Sequence, residues 1–275
     1  GMQANLPLRP PLGEWVKLLN EFDEIAVRAA VDLPTGIGEG SGEAVLRADF
    51  TYCTGIVKSP VVSPDNLRWT GRLRYLDLGF FDRGFEEPQE DRARVLRSSA
   101  LRMLRKLRPV ACDKRDQGHL FLLAGSRELG GAALMAAQAA LKAGVGLLTV
   151  GIPESLHSAF AARRPEAMWI PLPETPNGGL ALEGLGKVRQ FLPKATALAI
   201  GPGLGQEGES HTLVREALSF FDGPVVLDAD ALRPEILKDV KNPDRLVLTP
   251  HAGEFARIAD SRSPEEYASE TGSAL

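Results

Sequence analysis

The sequence predicts a three-layer αβα fold with a mostly parallel sheet, and three observations carry that expectation. Short uncharged apolar runs recur at residues 195–200, 225–227 and 246–248, which is how strands buried on both faces of a parallel sheet read. Each run stops abruptly in residues suited to a ligand: Gly201-Pro202-Gly203-Leu204-Gly205, Asp228-Ala229-Asp230-Ala231-Leu232, and Thr249-Pro250-His251-Ala252-Gly253-Glu254. Helical periodicity fills the gaps between runs, and strand–helix alternation implies helices on both faces. Open α/β sheets bind ligands at the carboxyl ends of their strands, so the three endings are expected to form one crevice.

Taken in order, residues 1–11 carry Pro7, Pro10 and Pro11 and cannot be helical throughout. Trp15, Leu18, Leu19 and Phe22 recur at helical spacing and predict an amphipathic helix over 12–22. Residues 25–33, 48–53 and 72–78 read as strands, the first running into Asp32-Leu33-Pro34-Thr35-Gly36. The acidic stretch 80–91 and the Arg- and Leu-rich stretch 92–107 read as a linker that ends in a helix, which places a domain boundary there. From His119 the order is strand, glycine loop, helix. Strands are expected at 119–124 and 146–151, with an edge strand at 168–171. Helices are expected at 132–143, 155–163, 180–192 and 211–221.

Composition bounds the partners. At 275 residues, with 44% hydrophobic and 25% charged residues, the chain can build a substantial globular core. A net charge of −4 gives no footprint for nucleic acid or an anionic membrane, so neither is an expected partner. Cys53 and Cys112 lack metal-ligand spacing and read as unpaired thiols of a reducing compartment. No apolar run is long enough to span a bilayer, and no signal peptide is seen behind Gly1-Met2, so a cytoplasmic protein is expected.

Several residues are candidates for a site. Gly125-Ser126 and Gly130-Gly131 flank a helix start, where main-chain amides favour anions, although a plain structural turn reads the same way. The Gly201–Gly205 loop lets a ligand approach the main chain. Asp228 and Asp230, two apart on a strand end, are expected to face one side, either toward a ligand or as helix caps. His251 and Glu254 follow a buried strand, and His251 is read as a binding residue. His157 and His211 read as inert residues of surface helices.

These motifs together resemble the carbohydrate-kinase-like NAD(P)H-hydrate dehydratases of the ribokinase superfamily. The resemblance begins at Asp113-Lys114 and Gln117-Gly118-His119. It continues through Gly125-Ser126, Gly131-Ala132-Ala133-Leu134 and Ala143-Gly144-Val145-Gly146, then Pro165-Glu166-Ala167-Met168. The three strand endings above complete it, in the same order. Asp113, Arg233 and Ala252 stand where the family usually has His, Asn and Pro. Residues before 80 resemble the end of an NAD(P)H-hydrate epimerase domain, a Rossmann-like fold. Ala30-Val31-Asp32-Leu33-Pro34-Thr35-Gly36 looks like its substrate and potassium motif, with Lys58 and Gly71–Gly79 in its closing segment.

The resemblance implies residues 1–85 as the closing part of an epimerase-like domain, 86–110 as a linker helix and 111–275 as a ribokinase-like dehydratase domain. It implies repair of hydrated NADH or NADPH, in which ADP or ATP with Mg2+ phosphorylates the 6-hydroxyl and phosphate then leaves. Substrate contacts would fall on Ala132, Gly203, Gly205, Asp230 and His251, with Asp228 shaping the floor. Asp32 and Thr35 would serve the epimerase-like substrate and K+. The family's catalytic Asp sits in a Gly-Thr-Gly-Asp loop that these 275 residues do not contain, so no catalytic residue is assigned. A homo-oligomer is expected. The alternatives are a small-molecule kinase acting on a sugar or hydroxymethylpyrimidine, and an inactive fragment.

Overall fold

The computed structural model describes residues 8–38, 44–80, 102 and 110–259. The chain divides into two compact units, Gly1–Arg97 and Ser98–Leu275. The expected linker helix falls outside the described residues, apart from 102 and 110. No helix among the described residues is long and apolar enough to cross a membrane.

The first unit opens with α1 (Leu12–Glu21) and β1 (Ala29–Val31), followed by β2 (Phe50–Thr54), α2 (Ser59–Val62), α3 (Leu67–Thr70) and β3 (Arg72–Leu76). The described strands form a parallel sheet in the order β1-β2-β3. The strand expected over 25–33 shrinks to three residues for two local reasons. The Arg28 amide bonds the Asp49 carboxylate at 2.7 Å, and Asp32 turns the backbone to φ 71°. The helix forms where its period predicts. Its only buried residue is nevertheless Val16, while Trp15, Leu18 and Phe22 stay exposed.

The second unit alternates strand and helix. It runs β4 (His119–Leu123), α4 (Gly130–Ala143), β5 (Leu147–Pro153), α5 (His157–Arg163), β6 (Met168–Leu172) and α6 (Leu185–Phe191). It continues with β7 (Ala197–Ile200), α7 (Gly208–Ser219), β8 (Val225–Leu227), α8 (Pro234–Leu237), β9 (Leu246–Leu248) and α9 (Ala252–Ile258). Among the described residues the sheet order is β6-β5-β4-β7-β8-β9, with every neighbouring pair parallel. The helix expected over 180–192 breaks into a 3-10 turn, α6, and a second 3-10 turn containing Pro193, which cannot donate to a continuing helix.

Side chains of β4 alternate between two cores. Phe121 and Leu123 pack with Val188 of α6 and with Leu213, Val214 and Ala217 of α7. Leu122 and Ala124 pack with Ala133 and Ala137 of α4 and with Phe160 of α5. The sheet is therefore covered on both faces at β4, which is why that strand is apolar on both sides. The burial on both faces expected for 225–227 and 246–248 is not found: Val226 of β8 and Val247 of β9 are exposed, because these strands lie toward the edge of the sheet and only one of their faces is packed. α4 is rich in alanine and glycine because it lies close to its neighbours. A Cβ on Gly130 would come within 2.6 Å of Leu156 Cδ1. Gly144, at φ 93°, ends α4 with its amide on the Ala140 and Leu141 carbonyls.

Candidate functional site

The strand order sets the location. From β4 the chain moves outward through β5 and β6; from β7 it moves outward the other way through β8 and β9. Connections from adjacent β4 and β7 thus leave on opposite faces, by α4 and α7. The carboxyl ends of such a strand pair open a crevice between the diverging connections. Here those ends are Gly125-Ser126 and the Gly201–Gly205 loop, joined by the Gly125 amide on the Pro202 carbonyl at 2.9 Å.

Three glycines make this loop possible. Gly201, Gly203 and Gly205 have φ of 125°, 66° and 82°, a region that side chains disfavour. Space also forbids side chains at the first two. A Cβ on Gly201 would lie 1.8 Å from the Asp228 carbonyl oxygen, and one on Gly203 would lie 2.4 Å from the Leu129 carbonyl oxygen and 3.0 Å from Ala132 Cβ. The loop is thereby pressed against the end of β8 on one side and the first turn of α4 on the other. That turn has Leu129 at its N-cap, which offers no side-chain acceptor, and it contains no acidic residue. A Cβ on Gly131 would meet no atom within 4 Å, so open space lies beside these amides.

The end of β8 does not continue as a strand. Ala229–Ala231 form a 3-10 turn with Ala229 at φ 48°, so the two-residue alternation fails and the aspartates diverge. Asp228 accepts from Thr249 Oγ1 at 2.8 Å, toward β9, and makes no side-chain cap bond. Asp230 turns to the glycine loop, where Oδ2 accepts from the Gly205 amide at 2.9 Å and Oδ1 accepts from Gln206 Nε2. The other end of the Gln206 amide accepts from Arg233 Nη2. His211 is not a surface residue. It is buried on α7, and its Nε2 donates to the Gly205 carbonyl at 3.1 Å. Burial, reinforced by the Arg233 charge, holds its imidazole below the ordinary histidine range, against the weaker pull of the Gly205 bond, Glu235 and Asp230.

The segment after β6 reaches into the same edge. Glu174 accepts from Arg127 Nη2 at 2.8 Å and Nε at 3.1 Å, and from the Ser155 amide at 2.5 Å. Burial pushes its carboxyl up, but the bonds from Ser155 and Arg127 outweigh that and hold it low. Thr175 Oγ1 donates to Glu207, and the Gly179 amide donates to Thr175 Oγ1 at 2.9 Å. Loops after β4, β6 and β7 are thus tied to one another. His251 stands after β9 as the exposed N-cap of α9. Its Nδ1 accepts from the Gly253 and Glu254 amides, and its Nε2 faces Glu254 at 3.1 Å.

In the first unit, Asp32 is buried at the end of β1. Its carboxylate accepts from Lys58 Nζ and from Thr54 Oγ1 at 3.3 Å. Thr35 lies half-buried in the same loop, its carbonyl taken by the Leu46 amide at 2.9 Å. Burial and the Asp32 charge push the Cys53 thiol up, against the opposing Lys58 charge.

Residues 120–275 match the carbohydrate-kinase family described as NAD(P)H-hydrate dehydratase. The chain belongs to the NAD(P)H-hydrate dehydratase family. It is 39% identical over 267 residues to the bifunctional NAD(P)H-hydrate repair enzyme Nnr of Gloeobacter violaceus, covering 91% of this chain and 50% of that protein. It is 35% identical over 237 residues to the Nnr of Moorella thermoacetica, covering 83% of this chain and 44% of that protein. The chain spans about half the length of the curated relatives it matches. Among solved structures, the hypothetic protein SMU.573 of Streptococcus mutans shares the fold, with TM-score 0.55 and 24% identity over 65% of this chain and 63% of that one.

Within this family framework, the structure brings Ala132, Gly203, Gly205 and Asp230 together by direct approach, and leaves His251 bonded within its own turn. Gln206, His211, Arg127, Glu174 and Glu207 lie at the same sheet edge, and none of them stands out as a site residue in the sequence. Gln206 and Glu207 had one available signal, their place directly after the last loop glycine. No group of three His, Cys, Asp or Glu among the described residues is placed to hold a metal ion.

Proposed function

We propose that the second unit carries out nucleotide-dependent dehydration of hydrated NADH or NADPH. ADP or ATP would phosphorylate the 6-hydroxyl; phosphate would then leave as the ring loses a proton and recovers the dihydropyridine. Hydroxide is a poor leaving group and phosphate a good one, so the protein's work is to position two anionic ligands and stabilise transferred charge. The observation that carries this reading is the packing of Gly203 against Leu129 and Ala132. It sets the glycine loop beside the acid-free first turn of α4, where amides and open space suit an anion. Ala132, Gly203, Gly205 and Asp230 are assigned to the nicotinamide substrate, with His251 beside them at the end of β9. Magnesium would come with the nucleotide phosphates, its usual partners, rather than in a protein cage.

The first unit is read as the closing part of an epimerase, with residues 1–85 in that domain, 86–110 as linker and 111–275 as dehydratase. Asp32 is already matched to Lys58, so potassium there would rely on backbone oxygens and the Thr35 hydroxyl. A cytoplasmic homo-oligomer completes the proposal. The test supplies hydrated NADH with ADP or ATP to the purified protein and follows reduced-nicotinamide absorbance and phosphate. Binding is followed separately by amide exchange at 201–206 with NADH present. Recovery of absorbance, or NADH protection of those amides, supports the reading. Phosphorylation of a sugar or hydroxymethylpyrimidine without either overturns it in favour of a kinase.

A further inference from the structure

We propose that Arg233 and Gln206 are positioning residues that hold the Gly201–Gly205 loop in shape through a side-chain relay to Asp230. The need for such a device follows from the loop itself. Three glycines at positive φ leave the backbone free to take many other conformations, so the ligand-ready one must be imposed from outside. Both polar backbone groups of Gly205 are taken by side chains from different elements. Its amide donates to Asp230 beyond β8, and its carbonyl accepts from His211 on α7.

Asp230 is aimed by its neighbours. A carboxylate free to swing could turn either oxygen to the loop or to solvent. Gln206 occupies Oδ1 and leaves Oδ2 for the Gly205 amide. The Gln206 carboxamide has one donor end and one acceptor end, and the structure places an anion at the first and a cation at the second. Arg233 therefore decides which way Gln206 points, and so which oxygen of Asp230 is available. The amide also separates the two charges; a direct Arg233–Asp230 pair would pull the carboxylate off the loop. Arg233 is anchored at its far side by Glu235, 3.6 Å away, and its Nε is buried with no hydrogen-bond partner among the described residues. A guanidinium is kept in so incomplete a setting only where its other contacts hold it there.

The inference about shape stands on geometry alone; its consequence for ligand rests on the function proposed above. The experiment separates them. Amide exchange is measured on the whole chain without ligand, and NADH affinity is measured alongside, for Arg233→Ala, Gln206→Ala, Gln206→Glu and the double alanine variant. Exchange at residues 203–206 is expected to quicken about threefold to tenfold in each single variant, with β7 unchanged as the check on folding. The double variant should add little, because both residues act in one relay. Gln206→Glu should loosen the loop although it keeps Arg233 occupied, since its carboxylate faces Asp230. Unchanged exchange at 203–206 in Gln206→Ala overturns the relay, and that exposed side chain serves even if Arg233→Ala fails to fold. Faster exchange with unaltered NADH affinity keeps the relay and overturns the loop's assignment to ligand.

Discussion

Replacing Gly131 with alanine should stabilise the second unit and weaken its hold on ligand. Gly131 sits in the first turn of α4 with no atom within 4 Å of the position its Cβ would take. Glycine inside a helix costs about 0.5–1 kcal/mol relative to alanine, through the extra freedom it must give up on folding. With no clash to offset it, Gly131→Ala should recover about that amount, a rise of about 1–4 °C in melting temperature for a unit of this size. Gly130→Ala is the matched control one residue earlier. Its methyl group would lie 2.6 Å from Leu156 Cδ1 and 3.1 Å from Phe160 Cζ, so overpacking of about 1–3 kcal/mol, lessened where the Leu156 side chain can shift, offsets the same helix gain. Gly130→Ala should therefore be the less stable of the two variants. If the open space at Gly131 receives the ligand, the added methyl also lowers NADH or ADP affinity while the protein melts higher. Thermal melts with and without ligand measure both. A lower melting temperature for Gly131→Ala would refute the helix argument, and a higher one with unaltered affinity would refute the placement of ligand.

Two further outcomes follow from buried charge. The folded pKa of His211 is depressed, so the unfolded chain takes up that proton first as pH drops through about 6.5, and stability present above that pH declines on acidification. His211→Gln keeps a donor for the Gly205 carbonyl and cannot titrate; its denaturant midpoint should fall less between about pH 7.5 and about pH 5. An identical slope in both proteins would remove His211 from the account. Lys58→Met leaves the buried Asp32 carboxylate without its cation, with Thr54 as its remaining side-chain partner among the described residues, and should cost about 1–3 kcal/mol, less than a fully buried pair because Lys58 is partly exposed. Denaturation followed by Trp69 emission, in a background with Trp15→Phe and Trp169→Phe, reads this in the first unit, and Asp32→Asn in the same background should restore most of the loss.

The strands could be read from sequence because an uncharged apolar run such as Ala197–Ile200, with glycine at its end, marks a strand of a parallel sheet; whether one face or two is covered could not, since the equally apolar runs of β8 and β9 leave Val226 and Val247 exposed. The proximity of Ala132, Gly203, Gly205 and Asp230 could be read as well, since strand ends of one parallel sheet share an edge. Asp228 and Asp230 were expected on one side because extended backbone alternates; the turn at Ala229 breaks that geometry, and alanine gives no hint of a positive φ. His211 looks like any polar helix residue until the sheet face beneath α7 is known. The Arg127–Glu174 tie links residues 47 apart, and nothing local to either one marks the other. In α1 the period gives the helix, whereas which apolar residues are buried depends on what lies opposite, and there Val16 alone is covered.

The position of β4 has a further consequence for how the molecule is made. It leaves the ribosome before every other strand of its sheet, yet it must be flanked by β5 on one side and, far later in synthesis, by β7 on the other. The His119 amide finds its partner, Thr196, 77 residues downstream. A nascent chain thus carries a half-covered Leu-Phe-Leu-Leu segment through most of its elongation, an invitation to chaperones and to aggregation. The crevice between β4 and β7 has no second wall until β7 docks, so it too forms only late in synthesis.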